Sequence, residues 1–189
     1  MSVHHKTLLS PEDYLTVERQ AAVKSEYLAG EIFSMAGASE RHNLIVANLV
    51  GEFRSQLKQR PCKVYPSDMR VKIQPTGLYT YPDVVVICAE PEFEDDHKDT
   101  LLNPTLIVEV LSESTEAYDR GKKFEHYRSL KSLSDYVLVA QDGARVEHFV
   151  RQADGTWLFS AHNNLQDTLE LPSVYCTLPL HEIYDKVEF

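Results

Sequence analysis

Residues 81–87, Tyr-Pro-Asp-Val-Val-Val-Ile, and residues 105–111, Thr-Leu-Ile-Val-Glu-Val-Leu, decide how this chain reads. Both are continuous apolar runs, expected as strands buried on both faces at the centre of a sheet. Each nevertheless carries one carboxylate, Asp83 at the start of the first and Glu109 near the end of the second. Burying an ionised carboxylate is costly unless it is paired or bound to a metal, so these acids require a reason. Antiparallel pairing of the two strands would set Asp83 and Glu109 side by side, whereas parallel pairing would separate them. Side by side, with backbone carbonyls and water, they offer the oxygen-rich surroundings that Mg²⁺ or Mn²⁺ prefers. The alternatives are a salt bridge to a buried Lys or Arg, or a strand-end acid facing solvent.

Outward from these strands the sequence alternates helix and strand signals. Ser10-Pro11-Glu12-Asp13 is a helix start, with a Ser cap, Pro at the first helical position and acids where the dipole favours them; the helix should run to about Val17. Ser25 to Leu28 and Glu31 to Met35 read as a hairpin around Ala29-Gly30. From Glu40 to Lys58, capped by Ser39, the four-residue spacing of Ile45, Leu49, Phe53 and Leu57 predicts a long amphipathic helix. Lys63 to Tyr65 and Asp68 to Ile73 are strand material. In the second, Met69, Val71 and Ile73 alternate with Asp68, Arg70 and Lys72, which predicts one core face and one basic, solvated face.

A helix is expected near Glu116, with Ala117, Phe124 and Tyr127 inward and Gly121 at a close approach. Strands at Asp135 to Ala140, Arg145 to Arg151 and Thr156 to Ala161, then a short closing helix from Leu178 to Tyr184, complete the pattern. With no repeat or linker, residues 1–189 read as one α/β domain.

The 19 basic and 29 acidic residues give a net charge of -10, the wrong sign for a protein held to DNA by a general positive field. Half of it comes from one segment, where Glu90, Glu92, Glu94, Asp95, Asp96 and Asp99 face Lys98 alone. Cys62, Cys88 and Cys176 are odd in number and lack zinc spacing, which argues against a disulfide framework and for a reducing, cytoplasmic compartment. No stretch suits a signal peptide or a membrane span. His4 and His5 have ligand chemistry, although such terminal pairs are usually inert. The Tyr79, Phe93 and Leu101 region, expected to be exposed, and the abundant tyrosines suit a homodimer.

Pro82-Asp83, then Glu109 in an apolar strand, then a helix carrying Lys resembles the PD-(D/E)XK nuclease superfamily. Asp83, Glu109-Val110-Leu111-Ser112-x-Ser114-Thr115, Asp119-Arg120-Gly121-Lys122-Lys123 and Tyr127 more closely resemble the Uma-type family of restriction-endonuclease-like proteins, from about Ser10 to Tyr184. The resemblance implies a restriction-endonuclease-like core, a central mixed β-sheet flanked by helices. The superfamily places a Lys two residues after the second acid, and that position here is Leu111. The Uma-type pattern implies that the lysine has moved to the next helix, with Lys123 as the match and Lys122 as the substitute. Asp119, Lys123 and Tyr127 recur every four residues and so share a helix face.

The resemblance further implies Mg²⁺- or Mn²⁺-dependent hydrolysis of DNA. Asp83, Glu109 and the carbonyl of Val110 would hold the ion, and Lys123 would orient or deprotonate the water or stabilise charge on the phosphate. Glu26, Glu31, His42 and Asp119 would support them, Glu31 as a further metal carboxylate and His42 at a phosphate or the attacking water. A different class of function stays open: a catalytically silent nuclease-fold protein that binds a partner or self-associates, to which the displaced lysine and the net negative charge both point.

Overall fold

In the computed structural model, which describes residues 8–189, the N-terminal half follows the sequence patterns closely; His4 and His5 lie outside the described residues. Helix α1 (Pro11–Glu18) is capped by Ser10, whose hydroxyl accepts the Asp13 N–H at 3.1 Å. Strands β1 (Ser25–Leu28) and β2 (Glu31–Ser34) form a hairpin whose turn has positive φ at both Ala29 (51°) and Gly30 (89°). Helix α2 (Glu40–Gln56) begins at the Ser39 cap and buries Ile45, Leu49 and Phe53. Next in order are strands β3 (Lys63–Pro66), β4 (Arg70–Ile73), β5 (Leu78–Thr80), β6 (Val84–Ile87), β7 (Thr100–Leu101) and β8 (Leu106–Leu111). A broken helix succeeds them: one α turn, α3 (Glu116–Tyr118), a π turn over Asp119–Lys123, and a second α turn, α4 (Phe124–Tyr127). Strands β9 (Asp135–Ala140), β10 (Val146–Arg151), β11 (Trp157–His162), β12 (Thr168–Leu171) and β13 (Cys176–Pro179) and helix α5 (Leu180–Ile183) complete the chain.

The architecture is mixed α/β. One sheet has the order β11-β10-β9-β8-β6-β3, with β8 and β9 parallel and the other neighbours antiparallel. The second has the order β2-β1-β5-β4-β7, and β12 and β13 form a separate hairpin. All residues of β6, β8 and β9 are buried, as expected of strands covered on both faces. Side chains alternate across a strand, so β6 and β8 feed two cores. Val84, Val86, Val108 and Val110 pack with Ile45, Leu49 and Phe53 of α2. Val85, Ile87, Ile107 and Leu111 face Tyr127, Leu130 and Tyr136 on the other side. No helix among the described residues is long and apolar enough to cross a membrane.

Several expectations are corrected. Arg70 belongs to no solvated face: it is 2% exposed, donating to the Thr100 hydroxyl and to the Tyr81 hydroxyl. Its strand has a neighbour on each side, β5 and β7, and lies in the interior of its sheet. A Cβ at Gly121 would meet nothing within 4 Å, so that glycine serves no close approach. Tyr79 and Leu101 are fully buried, which removes them from any homodimer surface.

Cys62 and Cys88 form a disulfide, because β3 and β6 pair with Lys63 opposite Ile87 and so bring the flanking cysteines to a Cα separation of 4.1 Å. The inference of a reducing compartment from unpaired cysteines therefore lapses. The β12–β13 hairpin was hidden in short, turn-rich sequence; Leu178 and Pro179, expected to open the closing helix, end β13 instead, and the helix begins at Leu180.

Candidate active site

The pairing of β6 with β8 is antiparallel, Val84 opposite Val108, and continued by one residue it sets Asp83 opposite Glu109. Both acids lie on the face that the broken helix covers, since Glu109 alternates with Val108 and Val110 of the α2 side. Asp83 Oδ2 accepts the Val110 N–H at 2.7 Å, and its Oδ1 lies 3.2 Å from His42 Nε2 at the start of α2. Glu109 Oε1 accepts the Tyr127 hydroxyl at 2.7 Å and lies 3.0 Å from Lys123 Nζ. The same ammonium is 3.3 Å from Glu26 Oε1 and 3.4 Å from Asp119 Oδ1. Asp119 opens the π turn and Lys123 closes it, and both are buried. Widened π turns of this kind recur at functional sites, and here one brings a carboxylate and an ammonium on the same element into the interior.

Three carboxylates thus surround one ammonium, and a fourth, Asp83, stands beside Glu109. Burial, and then the charges of Asp119 and Asp83, push the Glu109 carboxyl up to about 8, although Lys123 pulls the other way. Burial likewise raises Asp119. Burial works against the Lys123 charge too, yet Glu109, Glu26 and Asp119 together hold it well above the usual lysine value. Asp119 Oδ1, although near the ammonium, receives no hydrogen bond of good geometry.

Among the described residues no three Asp, Glu, His or Cys side chains converge into a ready-made metal set. Mg²⁺ does not require one, being commonly held by one or two carboxylates with water and substrate phosphate in its other positions. The excess of carboxylate over ammonium and the unbonded Asp119 oxygen fit a divalent cation beside Asp83 and Glu109.

Of the residues singled out in the sequence, Asp83, Glu109, Asp119, Lys123 and His42 come together, and Glu26 joins them. Val110 meets Asp83 through its N–H. Lys122 is exposed, one residue round the turn from Lys123, and Glu31 is half-buried opposite Leu28 on the hairpin. Thr80, which donates to Glu26, gave no signal, because an isolated threonine at a strand end looks like any other. A groove of about 600 Å³ opens alongside, walled by residues neighbouring the cluster in the chain, including Ser39, Arg41, Leu111 and Ser112.

Residues 11–180 match the family model described as Uma2, putative restriction endonuclease. Two uncharacterized proteins of Synechocystis sp. are similar: one is 40% identical over 160 residues, covering 85% of this chain and 90% of that protein. The other is 39% identical over 183 residues, covering 96% and 94%. In fold, the chain resembles the crystal structure of a putative nuclease belonging to DUF820 from Anabaena variabilis, with a TM-score of 0.78 at 18% identity over 95% of this chain and 99% of that one. With a family match along most of its length and relatives of this similarity, the chain belongs to the Uma2 family of restriction-endonuclease-like proteins.

Proposed function

We propose that the chain is a divalent-metal-dependent endodeoxyribonuclease that hydrolyses phosphodiester bonds with water. The observation that carries this reading is Asp83 facing Glu109 across β6 and β8, with Lys123 Nζ 3.0 Å from Glu109. Asp83 and Glu109 would hold Mg²⁺ or Mn²⁺, with the Val110 carbonyl as a further candidate. The bound ion supplies charge neutralisation at the phosphate and a more acidic water. Leu111, where the superfamily keeps its lysine, is buried in the core, and the broken helix supplies the ammonium instead.

The chain's own groups divide the remaining work. Lys123, its pKa held high by three carboxylates, stays charged and therefore acts as a donor that orients water and stabilises the developing phosphate charge, rather than as a base. Tyr127 fixes the Glu109 carboxyl, and His42, held against Asp83 at the positive end of α2, is placed for a phosphate oxygen. Family resemblance implies in-line attack leaving a 5′-phosphate.

A specific observation favours a second reading, a silent nuclease-fold binding module: Glu109 is 3% exposed and Lys123 5%, as in a purely structural ion cluster. Cleavage of supercoiled plasmid and of short single- and double-stranded DNA with Mg²⁺, Mn²⁺ or EDTA separates the two. The nuclease reading expects nicking that is lost in EDTA, in Glu109→Gln and in Lys123→Ala. Nicking that survives all three would place the chemistry elsewhere, and no cleavage of any DNA would favour the silent module.

A further inference from the structure

The net charge of -10 conceals two segments of opposite kind. The acidic segment 90–99 is partly neutralised: Arg19 reaches Asp95 and Asp99, Arg70 reaches Asp99, and Lys72 reaches Glu94. Residues 54–63, Arg-Ser-Gln-Leu-Lys-Gln-Arg-Pro-Cys-Lys, carry Arg54, Lys58, Arg60 and Lys63 with no acid among them. All four are exposed, and among the described residues none makes an ion pair. Arg54, Lys58 and Arg60, with Leu57, Cys62 and Val64, line a hollow of about 120 Å³ between the end of α2 and edge strand β3. Its wall is braced, since Cys62 is tied to Cys88 and the Arg60 guanidinium sits 5.0 Å over the Tyr175 ring. A cation in the last helical turn complements the helix dipole, which accounts for Arg54 alone. Like charges gathered without counter-charge are otherwise unfavourable, and what relieves them is an anion.

The surroundings of the candidate site sharpen the point. The groove beside it carries Glu40, Glu113, Glu116 and Asp142 against Arg41 and Arg145, a balance that repels phosphate. The other basic stretch, from Arg120 to Lys131, has most of its charge engaged: Arg120 pairs with Glu116 and Glu147, Lys123 lies in the buried cluster and Arg128 approaches Glu125.

We propose that the hollow at Arg54, Lys58 and Arg60 is a second anion site, which takes a backbone phosphate of the DNA several nucleotides from the reacting one. The proposal rests on the nuclease reading of the Asp83–Glu109 site for its choice of ligand. Two elements give the spacing. Along α2, His42 to Arg54 spans about 18 Å at ~1.5 Å per residue. Along β6, Asp83 to Cys88 spans about 16 Å at ~3.3 Å per residue. With ~3.4 Å between successive base pairs, the held phosphate lies about five nucleotides from the reacting one.

The test is binding of duplex DNA of about 20 and about 6 base pairs, in EDTA so that nothing is cut, followed by anisotropy against salt. The variants are Arg54→Gln/Lys58→Gln/Arg60→Gln and, as a matched loss of three charges elsewhere, Arg128→Gln/Lys131→Gln/Lys186→Gln, all exposed; unfolding midpoints equal to wild type establish that both fold. The Arg54/Lys58/Arg60 variant is expected to bind the long duplex at least tenfold more weakly at low salt, with the salt slope reduced by about 1 for the one phosphate released, and to bind the short one nearly as wild type does. Unchanged affinity, or an equal loss in the matched control, overturns the proposal, as does binding of phosphatidylserine vesicles in place of DNA. Plasmid cleavage is read separately. A wild type that binds through the hollow but cuts nothing supports the anion site and defeats the nuclease reading, and a wild type that cuts DNA while the Arg54/Lys58/Arg60 variant binds normally does the reverse.

Discussion

Two charged clusters lie on either side of β1, one running from buried Glu18 and Arg70 out to half-exposed Arg19, Asp95 and Asp99 and the other buried at Glu26, Glu109, Asp119 and Lys123, and they are built on opposite principles. In the first, Glu18 accepts the Ser25 N–H at 2.9 Å and the Tyr81 hydroxyl at 2.9 Å, and Tyr81 in turn receives Arg70. Arg70 continues to Thr100 and Asp99, and Arg19 clamps Asp95 and Asp99. Three of its acids, Glu18, Asp95 and Asp99, are tied in this way by two guanidiniums and their hydroxyl partners, and Arg19 holds the Asp99 carboxyl well below the usual carboxylate range. In the second, Glu26, Glu109 and Asp119 surround Lys123 with Asp83 beside Glu109, and burial drives Glu109 up to about 8. Charge that is nearly balanced and well bonded serves the fold; buried carboxylates left in excess of their counter-ions are the feature on which the proposed cation site rests.

The largest effect that would break this contrast is on stability. Arg70→Met leaves Tyr81, Thr100 and Asp99 without their buried partner, and a loss of about 3 kcal/mol is expected in urea unfolding. Glu109→Gln should do the opposite, holding stability within about 1 kcal/mol because burial already works against the Glu109 charge and the amide oxygen still accepts the Tyr127 hydroxyl, while metal-dependent nicking falls at least ~100-fold. A Glu109→Gln variant as unstable as Arg70→Met would mean that both clusters are structural.

Titration separates the clusters by sign. The folded chain keeps on Glu109, at about 8, a proton that the unfolded chain releases near the ordinary 4.5. The stability tied to that proton is therefore full below 4.5 and lost as pH rises through 8. Asp99, lowered by Arg19, acts in reverse: its stability is present at neutral pH and lost on acidification. Unfolding midpoints measured in EDTA across pH should show Glu109→Gln flattening only the decline between 4.5 and about 8, and Asp99→Asn only the loss on acidification below 3.8. The smallest effect expected is at Gly121 in the π turn, where Gly121→Ala meets open space and should change stability by under ~1 kcal/mol, in the stabilising direction.

Much of the second cluster was legible in the sequence, because an acid inside an apolar strand conflicts with packing and so stands out. Asp83 and Glu109 announced themselves in that way, and the four-residue spacing of Asp119, Lys123 and Tyr127 gave their shared face, though not the π turn that carries it. The first cluster was not legible. Glu18 ends a short helix, and Arg70 sits in an alternating strand whose polar face looks solvated until the surrounding elements enclose it. The Cys62–Cys88 bond was hidden for a related reason, since cysteines 26 residues apart become neighbours only through strand register. Local pattern reports the conflict a residue creates within its own element; it does not report which distant element resolves it.

The central claim, that the excess carboxylates are a cation site, is tested most directly by calorimetric titration of Mn²⁺ into the wild type, Asp83→Asn and Glu109→Gln. Saturable binding in the wild type that is lost in both variants is the expected result. Binding of equal strength in all three proteins, or none in the wild type, would contradict the claim and leave the Lys123 cluster as a structural counterpart of the Arg70 network.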